Sequence, residues 1–141
     1  MAKPLTPPKK KRKKRSFPEY QVQAATVALV RTHYPAWLMY HAMNGGRCAP
    51  QEATRRKNMG VLAGVHDLFL AEPNLVYNGM YLELKATKSG KLSKDQLTFK
   101  ANAEDRNFYC SNAYLPLEAL FQLECYMGIP ANLRIGRPID P

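Results

Sequence analysis

The sequence predicts an α/β domain with a small mixed β-sheet flanked by helices. Three observations lead there. Short apolar runs bounded by turn residues alternate with longer stretches whose apolar residues recur at helical spacing. Two of the runs, Leu68-Phe69-Leu70 and Met80-Tyr81-Leu82, flank a loop holding Pro73, Asn74, Asn78 and Gly79, which reads as a central hairpin. A chain of 141 residues with 45% hydrophobic content suits one domain with a substantial core.

The N-terminal residues 1–15 stand apart from that domain. They hold eight of the 21 Lys and Arg residues and no acid, so they carry +8 of the net +10 and leave +2 for the rest. The unbroken run Lys9, Lys10, Lys11, Arg12, Lys13, Lys14 and Arg15 repels itself and has nothing to bury, so a disordered tail is expected. Such a run suits an arm that grips nucleic-acid phosphates by counterion release. A nuclear localisation signal or a solubility tail is the alternative.

The folded domain is expected over residues 16–130. Ser16 is placed as an N-cap, with Pro18 in the first turn and Glu19 completing a capping box. Val22, Ala25, Val27, Leu29 and Val30 then carry the helix to about Thr32. His33 to Tyr40 reads as a turn and a short buried strand, and His41 to Arg47 as a loop. His33 and His41 are assigned structural roles. Asn44, Gly45 and Gly46 would let backbone approach a phosphate, with Arg47 beside them. Pro50 to Met59 suits a short helix displaying Arg55, Arg56 and Lys57, either as phosphate contacts or as a solvated face.

After the hairpin, Ser93 is placed as the N-cap of a helix with Gln96, Leu97, Phe99, Lys100 and Ala103 at helical spacing. Lys88, Lys91 and Lys94 lie near the hairpin in sequence and are candidate DNA contacts. Asn107 to Asn112 reads as a further core strand. Pro116 to Met127 is a final helix with Leu117, Leu120, Phe121 and Leu123 inward, closed by Gly128 and Pro130. Residues 131–141 are expected to form an extended tail.

Chemistry centres on the hairpin. Asp67 stands at the start of its first strand, and Glu83 and Lys85 stand in the second. Strand side chains alternate, so Glu83 and Lys85 share a face and Leu84 points the other way. Pairing of the two strands would let Asp67 and Glu83 converge on one hard divalent cation with the Lys85 ammonium alongside. Two carboxylates, phosphate oxygens and water form a set that Mg²⁺ accepts. Phosphodiester hydrolysis needs an activated water and compensation of charge at phosphorus, which such a site can supply. A Glu/Lys pair two residues apart is common on solvated surfaces, so the surrounding motifs decide its meaning.

Those motifs resemble a known family. Gly64-Val65-His66-Asp67 followed by Glu83-Leu84-Lys85 is similar to the D…E-x-K core of the PD-(D/E)xK nucleases, and more narrowly to the VRR-NUC (virus-type replication-repair nuclease) domain. Asn44-Gly45-Gly46, Arg55-Arg56-Lys57, Met59-Gly60 and Ser93-Lys94-Asp95-Gln96 extend the likeness over residues 17–128. The chain departs from the pattern at His66, where the family usually has proline. The resemblance implies a restriction-endonuclease-like core and a Mg²⁺- or Mn²⁺-dependent DNA endonuclease. It adds the Leu84 carbonyl and Glu19 to the metal ligands and places Gln96 beside the site. Glu19 thus has two compatible readings, helix cap and site acid. The resemblance further implies branched DNA as partner, a four-way junction or a flap, and a homodimer in the cytoplasm of a bacterial or phage-infected cell.

Other classes find little support. No apolar run is long enough to span a membrane, and the N-terminus lacks the apolar segment of a signal peptide. Cys48, Cys110 and Cys125 are odd in number and far apart, which suits reduced thiols. No phosphate-binding glycine fingerprint and no activated Ser or Cys is present, so neither a small-molecule cofactor nor a covalent intermediate is expected. A non-catalytic, architectural DNA-binding protein is the second reading. An acid-lined site argues against it, because it repels phosphate unless a cation intervenes.

Overall fold

The computed structural model describes residues 18–43, 48–86 and 90–139. The basic run Lys9–Arg15 and Ser16, Asn44, Arg47 and Lys88 lie outside these residues. The elements are α1 (Glu19–His33), β1 (Met39–His41), α2 (Pro50–Asn58), β2 (Leu68–Leu70), β3 (Met80–Leu84), α3 (Lys94–Glu104), β4 (Tyr109–Ala113) and α4 (Pro116–Tyr126). A single turn of 3₁₀ helix, Ala131–Leu133, follows.

The four strands form one sheet in the order β1-β2-β3-β4. β1 pairs with β2 and β2 with β3 in antiparallel fashion, while β3 and β4 run parallel, joined by the α3 crossover. This is the mixed sheet the sequence predicts, with β2 and β3 as its central hairpin. Helix α3 is what makes β4 parallel, because a parallel neighbour requires a long crossover.

The two faces of the sheet differ in chemistry. Met80, Leu82 and Leu84 project from β3 into an aliphatic core with Leu68, Leu70, Val22, Val30, Leu120 and Leu123, closed by α1 and α4. Tyr81 projects to the opposite face, where it stacks on Phe69 at 4.5 Å and meets Phe99 of α3 edge-on at 4.9 Å. Glu83 and Lys85 continue that second row. Alternation along one strand therefore separates a greasy face from a face that begins aromatic and ends charged.

Three local expectations change. The N-cap of α1 is Pro18, without a side-chain hydrogen bond, and Glu19 is the first helical residue, where its charge suits the helix dipole. β1 is an edge strand rather than a buried one, and Tyr40 is 52% exposed. In α4 the buried stripe is Ala119, Leu120, Leu123, Glu124 and Tyr126. At 100° per residue Leu117 and Phe121 fall outside that stripe, so Leu117 is exposed and Phe121 only half-buried.

The final segment is strapped onto α4 rather than hanging free. Ile135 and Gly136 donate backbone N–H groups to the Glu124 carboxylate at 2.8 and 2.9 Å, and Arg137 donates to the Leu117 carbonyl at 2.9 Å. The Arg134 guanidinium lies over the Phe121 ring. A Cβ on Gly136 would meet the Phe121 backbone nitrogen at 2.1 Å, so only glycine permits this approach.

Candidate active site

Asp67 sits immediately before β2, opposite Glu83 when the register Leu68↔Leu82 is continued by one residue. The ladder ends there, and the Leu84 N–H meets a side chain instead of a strand. Asp67 Oδ2 accepts that hydrogen bond at 2.8 Å. The Asp67 carbonyl is anchored from β1 by the Ala42 N–H at 3.0 Å and His41 Nδ1 at 2.7 Å. His41 therefore holds the strand entry, in keeping with its assigned structural role. A strand residue directs its N–H and C=O to the same edge, so the Leu84 carbonyl lies on the side where Asp67 stands.

Glu83 is 2% exposed. Its Oε1 accepts from Gln96 Nε2 at 2.5 Å and from Lys85 Nζ at 2.9 Å. Its Oε2 is buried with no hydrogen-bond partner and stands 3.6 Å from His66 Nδ1, which is equally buried and unpartnered. Gln96 binds the group together. It closes the capping box of α3 with Ser93, and its Oε1 receives both the Ser93 N–H at 2.8 Å and Lys85 Nζ at 3.1 Å. One residue thus ends a helix and bridges the two charged residues of β3.

A glycine brings the remaining wall into place. Gly64 adopts φ +81°, and a Cβ there would lie 2.3 Å from the Asp95 carbonyl carbon. The segment leading to His66 and Asp67 therefore passes against the first turn of α3. His66 lands 1% exposed, with its ring centroid 5.4 Å from that of Phe99.

The electrostatics follow from this burial. Loss of water first, and then the Asp67 charge, push the Glu83 carboxyl up to about 7. Lys85 opposes the shift through its hydrogen bond and its charge, while Glu19, exposed at the start of α1, adds to it. Burial also lowers His66 to about 4; a hydrogen bond to the Gly64 backbone opposes this, and the Lys100 and Lys85 charges reinforce it. His66 is therefore a neutral imidazole at pH 7.

A divalent cation suits this chemistry. When ionised, the Glu83 carboxylate has the Lys85 ammonium on Oε1, no partner on Oε2 and the repulsion of a second carboxylate, so a cation at Oε2 would relieve it. Among the described residues no group of three or more His, Cys, Asp and Glu side chains gathers at ligating distance. The oxygen donors at this end of the hairpin are the Asp67 carboxylate, which accepts from the Leu84 N–H, and the Glu83 carboxylate, whose electrostatics it affects. Hard cations that keep several waters and take phosphate oxygens accept such a set.

The basic residues are less concentrated. In α2, Arg56 and Arg55 both pair with Glu52, at 3.2 and 3.7 Å, while Lys57 is exposed. Lys91 and Lys94 are exposed at the start of α3, near Gln96. The structure also reveals neighbours that spacing does not. The parallel register sets Asn112 of β4 directly beside Glu83, and Asn112 Nδ2 donates to the Tyr114 hydroxyl at 3.3 Å. Only the pairing of β3 with β4 could reveal them.

No protein-family model matches the chain, and no curated protein matches it in sequence. Among solved structures, one described as a "VRR_NUC domain protein" aligns with a TM-score of 0.68, covering 82% of this chain and 92% of that one. The chain has the VRR_NUC fold. Sequence identity to that structure is 18%, so the likeness is one of architecture. The VRR_NUC fold agrees with the mixed four-stranded sheet and helices expected of a PD-(D/E)xK core. No helix among the described residues is long and apolar enough to cross a membrane.

Proposed function

We propose that this protein is a metal-dependent endodeoxyribonuclease acting on branched DNA. The observation that carries the reading is the gathering of Asp67 before β2, Lys85 at the end of β3 and Gln96 of α3 about the under-satisfied Glu83 carboxylate. The VRR_NUC fold supports it. Asp67, Glu83 and the Leu84 carbonyl would hold Mg²⁺ or Mn²⁺, with Glu19 available from α1. The bound cation supplies Lewis-acid polarisation and neutralises phosphate charge. Asp67 is held toward the site by the Leu84 N–H, and Glu83 is held by Gln96 and Lys85. Lys85 stands with its ammonium at the charged end of the face, placed to orient water or to stabilise charge developing on the scissile phosphate. Gln96 fixes the Lys85 ammonium relative to Glu83. Lys57, Lys91 and Lys94 from the body, with the basic run Lys9–Arg15, would position the DNA backbone without reading sequence.

In this reading the active form is a two-fold dimer, because paired cuts on opposing strands of a four-way junction need two symmetry-related sites. The test presents labelled four-way junction, flap, nicked and linear duplex to wild type, Asp67→Ala and Glu83→Ala, with Mg²⁺, Mn²⁺ or EDTA. Paired incisions in the junction, lost with EDTA and with either substitution while DNA binding persists, are the expected result. Cutting of flaps alone moves the substrate and keeps the nuclease. Binding without metal-dependent cutting on any substrate overturns the enzyme in favour of an architectural protein.

A further inference from the structure

The aromatic end of the site face opens into a cavity that the hydrolytic groups do not use. It has a volume of about 350 Å³, with walls of Leu62, Tyr81, Phe99 and Phe108 and the polar residues Asn102 and Arg106 on its border. Leu62 is 59% exposed, across from rings that are themselves only half-buried. An exposed leucine and three aromatic rings, with Tyr81 meeting Phe99 and Phe108 edge-on, line a slot that also holds the hydrogen-bond donors of Asn102 and Arg106.

This slot shares β3 and α3 with the candidate active site. Tyr81 and Glu83 are two residues apart on the same face of β3, about 7 Å along the strand. Phe99 lies one helical turn beyond Gln96 and packs against His66, the neighbour of Glu83. A single nucleic-acid strand advances roughly 3.4 Å per nucleotide in duplex form and further when unstacked. A phosphate at Glu83 and Lys85 therefore leaves a base one or two nucleotides away within reach of Tyr81 and Phe99.

We infer that the slot binds an unpaired nucleobase next to the scissile phosphate, making the substrate a DNA with an unstacked nucleotide at the branch. The inference rests on the nuclease reading above. The chemistry of the walls favours a base over other occupants. A base presents a π-face to aromatic rings and polar edges to an amide and a guanidinium, the combination by which unpaired bases are held. A second aromatic hollow, about 420 Å³ and lined by Tyr77, Tyr109 and Tyr126, shows the contrast. It lies at the start of β3, where Tyr109 pairs with Met80, and its lining includes no Lys or Arg.

The test uses 2-aminopurine, whose fluorescence falls when it stacks. It is placed at unpaired positions flanking the branch of a flap or junction, and within paired duplex as the control, with full-length protein in EDTA so that nothing is cut. Wild type is expected to quench the unpaired probe and to bind that DNA more tightly than fully paired duplex. Phe108→Leu and Arg106→Ala should each reverse the quenching and weaken binding of the unpaired substrate by about 5- to 100-fold, the range for loss of one stacked base. Binding of paired duplex should stay unchanged, as should both readouts in Cys125→Ser in the other hollow. Thermal melts establish that Phe108→Leu folds, and exposed Arg106 and Leu62 (as Leu62→Ala) carry the test if it does not. DNA binding without quenching, or quenching indifferent to these substitutions, overturns the slot and leaves the nuclease standing. Quenching in a protein that cuts nothing with metal keeps the slot and removes the nuclease. Absence of all DNA binding overturns both.

Discussion

Among the described residues two glutamates are buried, and they are treated in opposite ways. Glu124, wholly buried in α4, has both carboxylate oxygens supplied with donors: the Tyr34 hydroxyl at 2.6 Å and the Ile135 and Gly136 N–H groups. Glu83, 2% exposed in β3, has one oxygen satisfied and the other with no partner beside a neutral histidine and a second carboxylate. The Tyr34 phenol is pushed up to about 12, by burial first and then by Glu124, so it remains a donor at any physiological pH. A buried carboxylate ringed by donors stabilises a fold. One left short of donors costs the fold stability.

The sharpest way to break that contrast is to neutralise each carboxylate in turn. Glu83→Gln and Asp67→Ala are expected to reduce DNA cleavage well beyond the roughly 100-fold that loss of a supporting residue causes. The melting temperature of Glu83→Gln without metal should equal or exceed that of wild type, because the glutamine oxygen can still accept from Gln96 and Lys85. A large drop in melting temperature for Glu83→Gln would mean that Glu83 is structural, as Glu124 is. Glu124→Ala should do the reverse. It leaves a phenol and two backbone N–H groups without their acceptor, costing about 3 kcal/mol or more in urea unfolding. Metal affinity, measured on whatever fraction stays folded, should hardly change.

Protonation offers a finer test. The folded-state value of Glu83 is raised from 4.5 to about 7, so the native state binds this proton more tightly than the unfolded chain. The associated stability is fully present below about 4.5 and is lost as pH rises through about 7, an effect of up to about 3 kcal/mol. Melting curves in EDTA from pH 4.5 to 8 should show this fall in wild type and a flatter profile in Glu83→Gln. Divalent metal should bind more weakly below pH 7, because the proton competes with it. Superimposable profiles for the two proteins would remove Glu83 as the strained group.

Two further tests concern the frame. Gly64→Ala meets both a positive φ and the Asp95 backbone, and should cost about 2–4 kcal/mol and disturb cleavage as His66 and Asp67 move. Gly60→Ala has φ +89° but open space, and about 1 kcal/mol with intact cleavage is expected. Equal effects at the two glycines would show that the close approach at Gly64 does not hold the site.

Much of this was legible in the residues themselves. Period-two and helical spacing are local signals. They located the 68–70 and 80–84 strands, the Ser93 cap with Gln96 three residues on, and the Gly128 stop at φ +73°. The same alternation placed Glu83 and Lys85 on one face, and the hairpin brought Asp67 opposite. What misled was burial. Whether Tyr40 or Leu117 is covered depends on which strand lies at the sheet edge and where the α4 stripe meets the sheet, and no window of sequence holds that information.

The sequence by itself determined the order of elements and the candidate acids, because secondary structure and side-chain direction follow from neighbours in the chain. Only the tertiary structure decided how those acids are housed. Gln96 reaches Glu83 because α3 crosses over β3, His66 is buried because Gly64 lets its loop press on that helix, and Glu124 finds its donors in a segment 11 and 12 residues away. Desolvation and hydrogen-bond supply are properties of packed surroundings, and they separate two chemically identical side chains into one supplied with donors at both oxygens and one left short of them.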